Sequence, residues 1–163
     1  MSNWFWRVTE NPDDYSPVAD FIEYFDKEYL AAKKECPISG SVEQHAARLP
    51  GIVEHRWSQL QEIEAVLKYF NEQHKLKKGE ALRKYIEKYN RALSPSVAEK
   101  YADSDPDVIN LSILINQIAF TRNKFISISK GLEYKHFQLS NITKLRCAGI
   151  EEITIDNHWK DDD

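Results

Sequence analysis

Several kinds of chemistry are missing from this chain before any pattern is sought. Its 163 residues include only two cysteines, one methionine and five glycines. Cys36 and Cys147 lie far apart and neither belongs to a metal-spacing motif. That excludes a disulfide framework and a zinc ribbon, and a reducing compartment is the default expectation, although two thiols could still pair. No apolar run approaches the roughly 20 residues of a membrane span, and no signal-peptide core opens the chain, so a cytoplasmic location and no membrane partner are expected. There is no glycine-rich phosphate loop, no nucleophile elbow and no paired-histidine zinc helix. The five histidines are scattered, and His55, beside Glu54 and near Glu62, lacks a second ligand at helical spacing. No catalytic residue, metal or cofactor is expected, and an enzyme is disfavoured. Strand-type alternation is also scarce; Ile153-Thr154-Ile155 is too short to support a sheet.

Helical periodicity is abundant. From Asp105 to Gly149, apolar residues recur at Leu111, Leu114, Ile118, Phe125, Ile128, Leu132, Leu139 and Ile142, a spacing that places them on one helix face. A second stripe runs through Val53, Trp57, Leu60, Ile63, Leu67 and Phe70, continuing through Leu82, Ile86, Tyr89 and Leu93. The punctuation agrees with this. Ser16-Pro17 opens a helix over about 17–35, with Val18, Phe21, Ile22, Phe25 and Tyr29 on one side, and Cys36-Pro37 closes it. Ser41 with Gln44 forms a capping-box pattern for a short helix expected to stop near Leu49-Pro50-Gly51. A long helix is then expected over 51–92, with Gly79 dividing or kinking it. Ser94-Pro95 caps a short helix over 95–102, Ser104-Asp105-Pro106 caps the last long one, and Gly149 sits at its C′ position.

The fold class expected is therefore all-α: two long amphipathic helices packed as an antiparallel hairpin, with shorter capping helices. Residues 1–15 read as an irregular aromatic and acidic arm, 16–149 as the helical domain, and 150–163 as an acidic tail. Stripes this long exceed what one small domain covers, so a helical-bundle homo-oligomer is expected.

Charge is unevenly spread. Residues 68–148 hold 15 Lys/Arg and 8 Asp/Glu, a net of +7, whereas the rest of the chain carries −11. This describes a basic body between acidic arms. The segment His74–Arg91 is densest, with Lys75, Lys77, Lys78, Arg83, Lys84, Lys88 and Arg91 against two glutamates and with Tyr85 and Tyr89 interleaved. Such a run can neutralise phosphates, and tyrosine rings can stack on unpaired bases; equally, the tyrosines fit the apolar stripe and the lysines a solvated face. A second set, Arg122, Lys124, Lys130, Lys135, His136, Lys144 and Arg146, faces a single acid, Glu133, between residues 118 and 148. Gly131 lies inside this helix, where glycine costs stability unless a close approach requires it. At the ends, Trp4, Phe5, Trp6 and Trp159 are candidate partner-binding hooks, or else aromatic cover for the core.

Lys130-Gly131-Leu132, then Lys135-His136-x-Gln138, then Arg146 near the end of a long helix, resembles the C-terminal region of phage recombination mediators of the UvsY type. The opening Asp105-Pro106-Asp107-Val108-Ile109 is similar to theirs. The resemblance covers about residues 105–149; the N-terminal extension, the acidic tail and the spacing before Arg146 depart from it. It implies a helical homo-oligomer, in the cytoplasm of a bacterial host, that binds single-stranded DNA and helps load a recombinase, with a single-strand-binding protein as a further partner. Two other expectations are compatible with the residues: a small DNA-packaging adaptor preferring duplex, and an inhibitor of a host factor that acts through its acidic arms.

Overall fold

The computed structural model describes residues 3–88 and 94–149. Among them the chain is all-α, with no strand. Helix α1 spans Trp4–Thr9, α2 Pro17–Lys33, α3 Val42–Lys88, α4 Pro95–Asp103 and α5 Pro106–Cys147. Among the described residues, those up to Phe25 with those between Gln61 and Asn123 form one unit, and Asp26–Leu60 with those from Lys124 onward form a second. Helices α2, α3 and α5 each contribute a segment to each unit.

In the first unit α3 and α5 run antiparallel: the Ser112 hydroxyl meets His74 Nε2 at 3.0 Å, and Lys84 Nζ lies 3.4 Å from Asp105 Oδ2. Phe21, Ile63, Val66, Phe70, Leu111 and Ile118 are fully buried there. Small residues let α4 approach closely, since Ala98 and Ala102 are fully buried and Ala102 packs with Ala81 and Val108. In the second unit the core consists of Ala32, Val42, Leu49, Ile128, Leu132 and Leu139. Here Gly131 serves an approach: a Cβ on it would stand 3.1 Å from Cys36 Sγ.

Three of the expected caps are made, whereas Ser94 stands at the N-cap of α4 without a side-chain cap hydrogen bond. Ser41 Oγ accepts the Gln44 N–H at 3.3 Å, Asp105 Oδ1 accepts the Asp107 N–H at 3.2 Å, and Gly149 takes φ +78° after α5. Three expectations need correction. Residues 4–9 form a helix rather than an irregular arm, because Glu62 Oε1 accepts the Trp4 and Phe5 N–H groups at 2.7 and 3.3 Å and supplies the missing helix-start acceptor. The short helix and the long one are a single helix, continuous through Pro50, Gly51 and Gly79. Proline removes one backbone hydrogen bond, but Ala46, Pro50 and Gly51 are all exposed, so the Ala46 carbonyl left without a donor lies on the water side. Burial of Leu49 and half-burial of Ile52 on the other side keep the two turns in phase.

The third correction concerns that phase. Val53, Trp57 and Ile86 are exposed. The expected members Leu60, Ile63, Leu67 and Phe70 are buried, and Ile52, Arg56 and Gln59 take the inward positions before them. Arg56 is only 4% exposed. Its Nε and Nη2 donate to the two oxygens of Glu35 at 2.8 and 2.6 Å, and Nη1 donates to Glu28 at 2.7 Å and to Gln59 at 2.8 Å. Gln59 in turn donates to Glu28 at 2.8 Å. That hydrogen bond, with help from Arg56, holds the Glu28 carboxyl below its ordinary value against the opposing effect of burial.

Two predictions follow from this packing. Gly79 is exposed with open space around its Cα, so Gly79→Ala is expected to stabilise the protein by about 1 kcal/mol in urea denaturation. Arg56→Ala leaves two carboxylates without their counter-ion and is expected to cost about 3 kcal/mol near neutral pH. Glu28's depressed pKa means its contribution is present above the unfolded carboxylate value and fades as pH falls through the folded one. The gap between wild type and Arg56→Ala should therefore narrow in acid, as measured by denaturation at a series of pH values.

Candidate nucleic-acid interface

In the second unit, α5 turns Leu132, Lys135 and Leu139 inward and a different row outward. Lys130, Tyr134, Phe137, Asn141 and Lys144 follow one another at steps of four, three, four and three, which keeps them on one face. All five are exposed, Tyr134 at 69% and Phe137 at 54%. The row is about 21 Å long from Lys130 to Lys144 at the usual helical rise. Among the described residues neither of these lysines pairs with an acid, and Glu133 stands beside them. At the end of the row, Lys144 and Arg146 occupy the last turn, where cations suit the helix dipole.

Two aromatic faces between two unpaired ammonium groups form a surface that can stack unpaired bases and neutralise flanking phosphates. Tyr134 and Phe137 were not among the expected site residues. Their signal was present, since they sit out of phase with Leu132 and Leu139, as only exposed side chains would.

No protein-family model, no curated protein and no solved structure matches the chain. Its chemistry therefore has to be read from the geometry of its own residues.

The remaining expected cations are unequally available. Lys75 and Arg83 are exposed on α3. Lys77 pairs with Glu80 at 3.4 Å and Asp13 at 3.7 Å, and Lys78 with Asp103 at 2.6 Å and Glu99 at 3.4 Å. Those carboxylates raise both lysine pKa values. Lys84 and the Tyr85 hydroxyl share Asp105 Oδ2, at 3.4 and 3.3 Å, which makes Tyr85 a packing residue beside Tyr101. Arg122 is half-buried, with Nη2 donating to Asn123 at 3.0 Å. Lys124 reaches Asp26 at 2.7 Å, and Arg146 reaches Glu43 at 3.0 Å. His136 is exposed beside the Phe137 ring. The Lys88 side chain, Tyr89, Arg91, Leu93, Trp159 and the acidic tail lie outside the described residues.

Two expectations change here. Lys135 does not face phosphates: it is 4% exposed, and its ammonium donates to the Glu35 carbonyl at 2.6 Å and the Pro37 carbonyl at 3.1 Å. Burial pushes its pKa below the usual lysine value, while Cys36 and Glu35 pull the other way. Its alkyl stem lies on the Leu132 side of α5, so the head turns from water to the carbonyls of the turn that follows α2. Trp4 is not a free hook either. It is buried against Phe21 and Tyr24, with the Arg7 guanidinium 4.2 Å over its ring. Phe5 is half-buried, and Trp6, 68% exposed, is the member of the cluster that faces solvent. Among the described residues no group of three or more His, Cys, Asp or Glu is arranged to hold a metal ion, and no helix is long and apolar enough to cross a membrane.

Lys135→Ala should lower stability by about 2 kcal/mol, because two carbonyls lose their donor. The same variant should leave the salt dependence of any nucleic-acid binding unchanged, as read from thermal melting and oligonucleotide titration on one preparation.

Proposed function

We propose that this chain is a non-enzymatic, homo-oligomeric scaffold that binds single-stranded DNA. In this reading it serves phage recombination or replication by helping to load a recombinase onto the strand. The observation that carries the binding is the exposed row Lys130, Tyr134, Phe137 and Lys144 on α5. Exposed rings favour a single strand over duplex, because bases in duplex are already stacked on one another and offer no free face. The resemblance of Lys130-Gly131, Lys135-His136, Gln138 and Arg146 to the UvsY-type mediators supports the same reading, and the recombinase partner rests on that resemblance alone.

Self-association has support from the first unit. Ile109, Ile113 and Phe120 are exposed at steps of four and seven on α5, and no charged residue occurs from 108 to 121. An uncharged apolar face suits contact with a second copy of itself, since no like charges meet across it. Repetition of the α5 row in an oligomer would raise effective concentration along a strand without any new contact.

The test is fluorescence anisotropy on a labelled single-stranded oligonucleotide over a salt series. Tyr134→Ala with Phe137→Ala should weaken binding at least about tenfold while leaving the salt slope in place. Lys130→Ala with Lys144→Ala should flatten the slope by about 1.4 per protomer engaged. Equal affinity for duplex, together with indifference to the aromatic pair, would defeat the single-strand reading.

A further inference from the structure

The α5 row of the second unit meets its chemical complement in the chain that leaves the same helix. Gly149 ends α5 in the left-handed region, at φ +78°, with its N–H donated to the Arg146 carbonyl at 3.0 Å. Residues 150–163 follow it and lie outside the described residues, but their sequence and length bear on the row. They hold six acidic residues against Lys160 alone, a net of −5, with Trp159 among the acids. Glu151 and Glu152 stand at the start of the segment, and Asp161, Asp162 and Asp163 follow Trp159. On α5, Lys144 and Lys130 bound the row and the exposed rings of Phe137 and Tyr134 lie between them. Among the described residues neither lysine holds a carboxylate. Acid, ring and acid in the segment thus face cation, rings and cation on the helix, in the order a reversed chain would present them.

Reach agrees with that order. Measured back from Gly149 at the helical rise, Lys144 lies about 8 Å away, Tyr134 about 23 Å and Lys130 about 29 Å. Counted forward at about 3.3 Å per extended residue, the chain can carry Glu152 about 10 Å, Trp159 about 33 Å and Asp162 about 43 Å. Each exceeds the span it has to cover, and the surplus grows towards Lys130.

We propose that residues 150–163 dock on the α5 row of their own chain, with Trp159 against Tyr134 and Phe137. Glu151 and Glu152 then lie at Lys144, and Asp161, Asp162 and Asp163 at Lys130. The tether at Gly149 supplies a high effective concentration, so a few exposed ion pairs and one ring contact suffice. A docked segment holds the rings and cations that a strand needs, and it therefore competes with single-stranded DNA. The docking stands without the strand-binding reading, whereas the competition rests on it.

The experiment follows the Tyr134 and Phe137 ring resonances of the full chain by NMR, first without DNA. Trp159→Ala is expected to shift both through loss of the indole ring current. A neutralised chain, carrying Glu151→Gln, Glu152→Gln, Asp161→Asn, Asp162→Asn and Asp163→Asn, is expected to shift them likewise. The methyl resonances of the buried Ile128 and Leu132 control for folding. Unchanged ring resonances in both variants overturn the docking. Labelled Trp159→Ala chains mixed with unlabelled native chains should keep the shifted positions; recovery of the native positions places the segment on a neighbouring copy and overturns the in-chain contact. Titration with a labelled single strand then tests the competition. The neutralised chain should bind at least about tenfold more tightly, and Trp159→Ala, which keeps every charge, should also tighten. Tightening in the neutralised chain alone is long-range charge and overturns the competition. Ring shifts without strand binding in any variant support the docking and defeat the strand-binding reading, so the two can fail separately.

Discussion

Glu35 is the residue on which the second unit turns. Its carboxylate takes both prongs of Arg56 from α3, and its main-chain carbonyl takes the buried ammonium of Lys135 from α5. The segment that ends α2 is thereby gripped from two helices at once. Glu28 completes the group through the other arm of Arg56, so one guanidinium joins two half-buried carboxylates while the Lys135 ammonium holds carbonyls beside them. Such a cluster adds less to stability than an apolar core of the same volume would, but it has directions. Arg56 can point inward only if Trp57 points outward, and Lys135 can reach the carbonyls of the turn after α2 only if α5 is rotated to expose Tyr134 and Phe137. The candidate interface is the outer consequence of an inner polar constraint.

Gly131 belongs to the same constraint. Where its Cβ would be, Cys36 Sγ stands at 3.1 Å, just beyond the end of α2. A larger residue would push α5 away from the carbonyls that Lys135 must reach. Of the residues that carry the family resemblance, Gly131 and Lys135 therefore position the helix, while Lys130, on its exposed face, meets solvent.

Much of the architecture was legible in the residues. Caps at Ser41, Asp105 and Gly149 depend on local chemistry, and local chemistry is what a sequence shows directly. The α5 stripe was also readable, because its buried positions before Lys135 are apolar except Thr121, whose hydroxyl returns to the Gln117 carbonyl of its own helix. The failures have one origin. Pro50 and Gly79 are helix breakers by propensity, but tertiary packing of the flanking turns overrides propensity. Arg56 and Lys135 are cations that look like surface residues until their acceptors, 21 and 100 residues away along the chain, are known. Reading Trp57 as core and Lys135 as a phosphate ligand was the same error, made once for an apolar residue and once for a charged one. In both cases the partner that decides the matter is not local.

The same distinction reshapes the meaning of the charge count. A net of +7 over residues 68–148 suggests a broad basic face. Much of that charge is committed: Lys77, Lys78, Lys84, Lys124 and Arg146 each hold a carboxylate, and Lys135 holds carbonyls. Exposed pairs of this kind contribute little to stability, but they do lower the charge offered to a polyanion. What remains on α5 of the second unit is a sparse set with rings between its members. A sparse set binds weakly for each subunit, with few counterions released and a shallow salt dependence. Affinity then has to come from stacking and from repetition, and repetition is what the uncharged Ile109–Ile113–Phe120 face would supply. Under the proposed function, assembly is a condition of strand binding, and a variant that stays monomeric would lose the strand even with every cation in place.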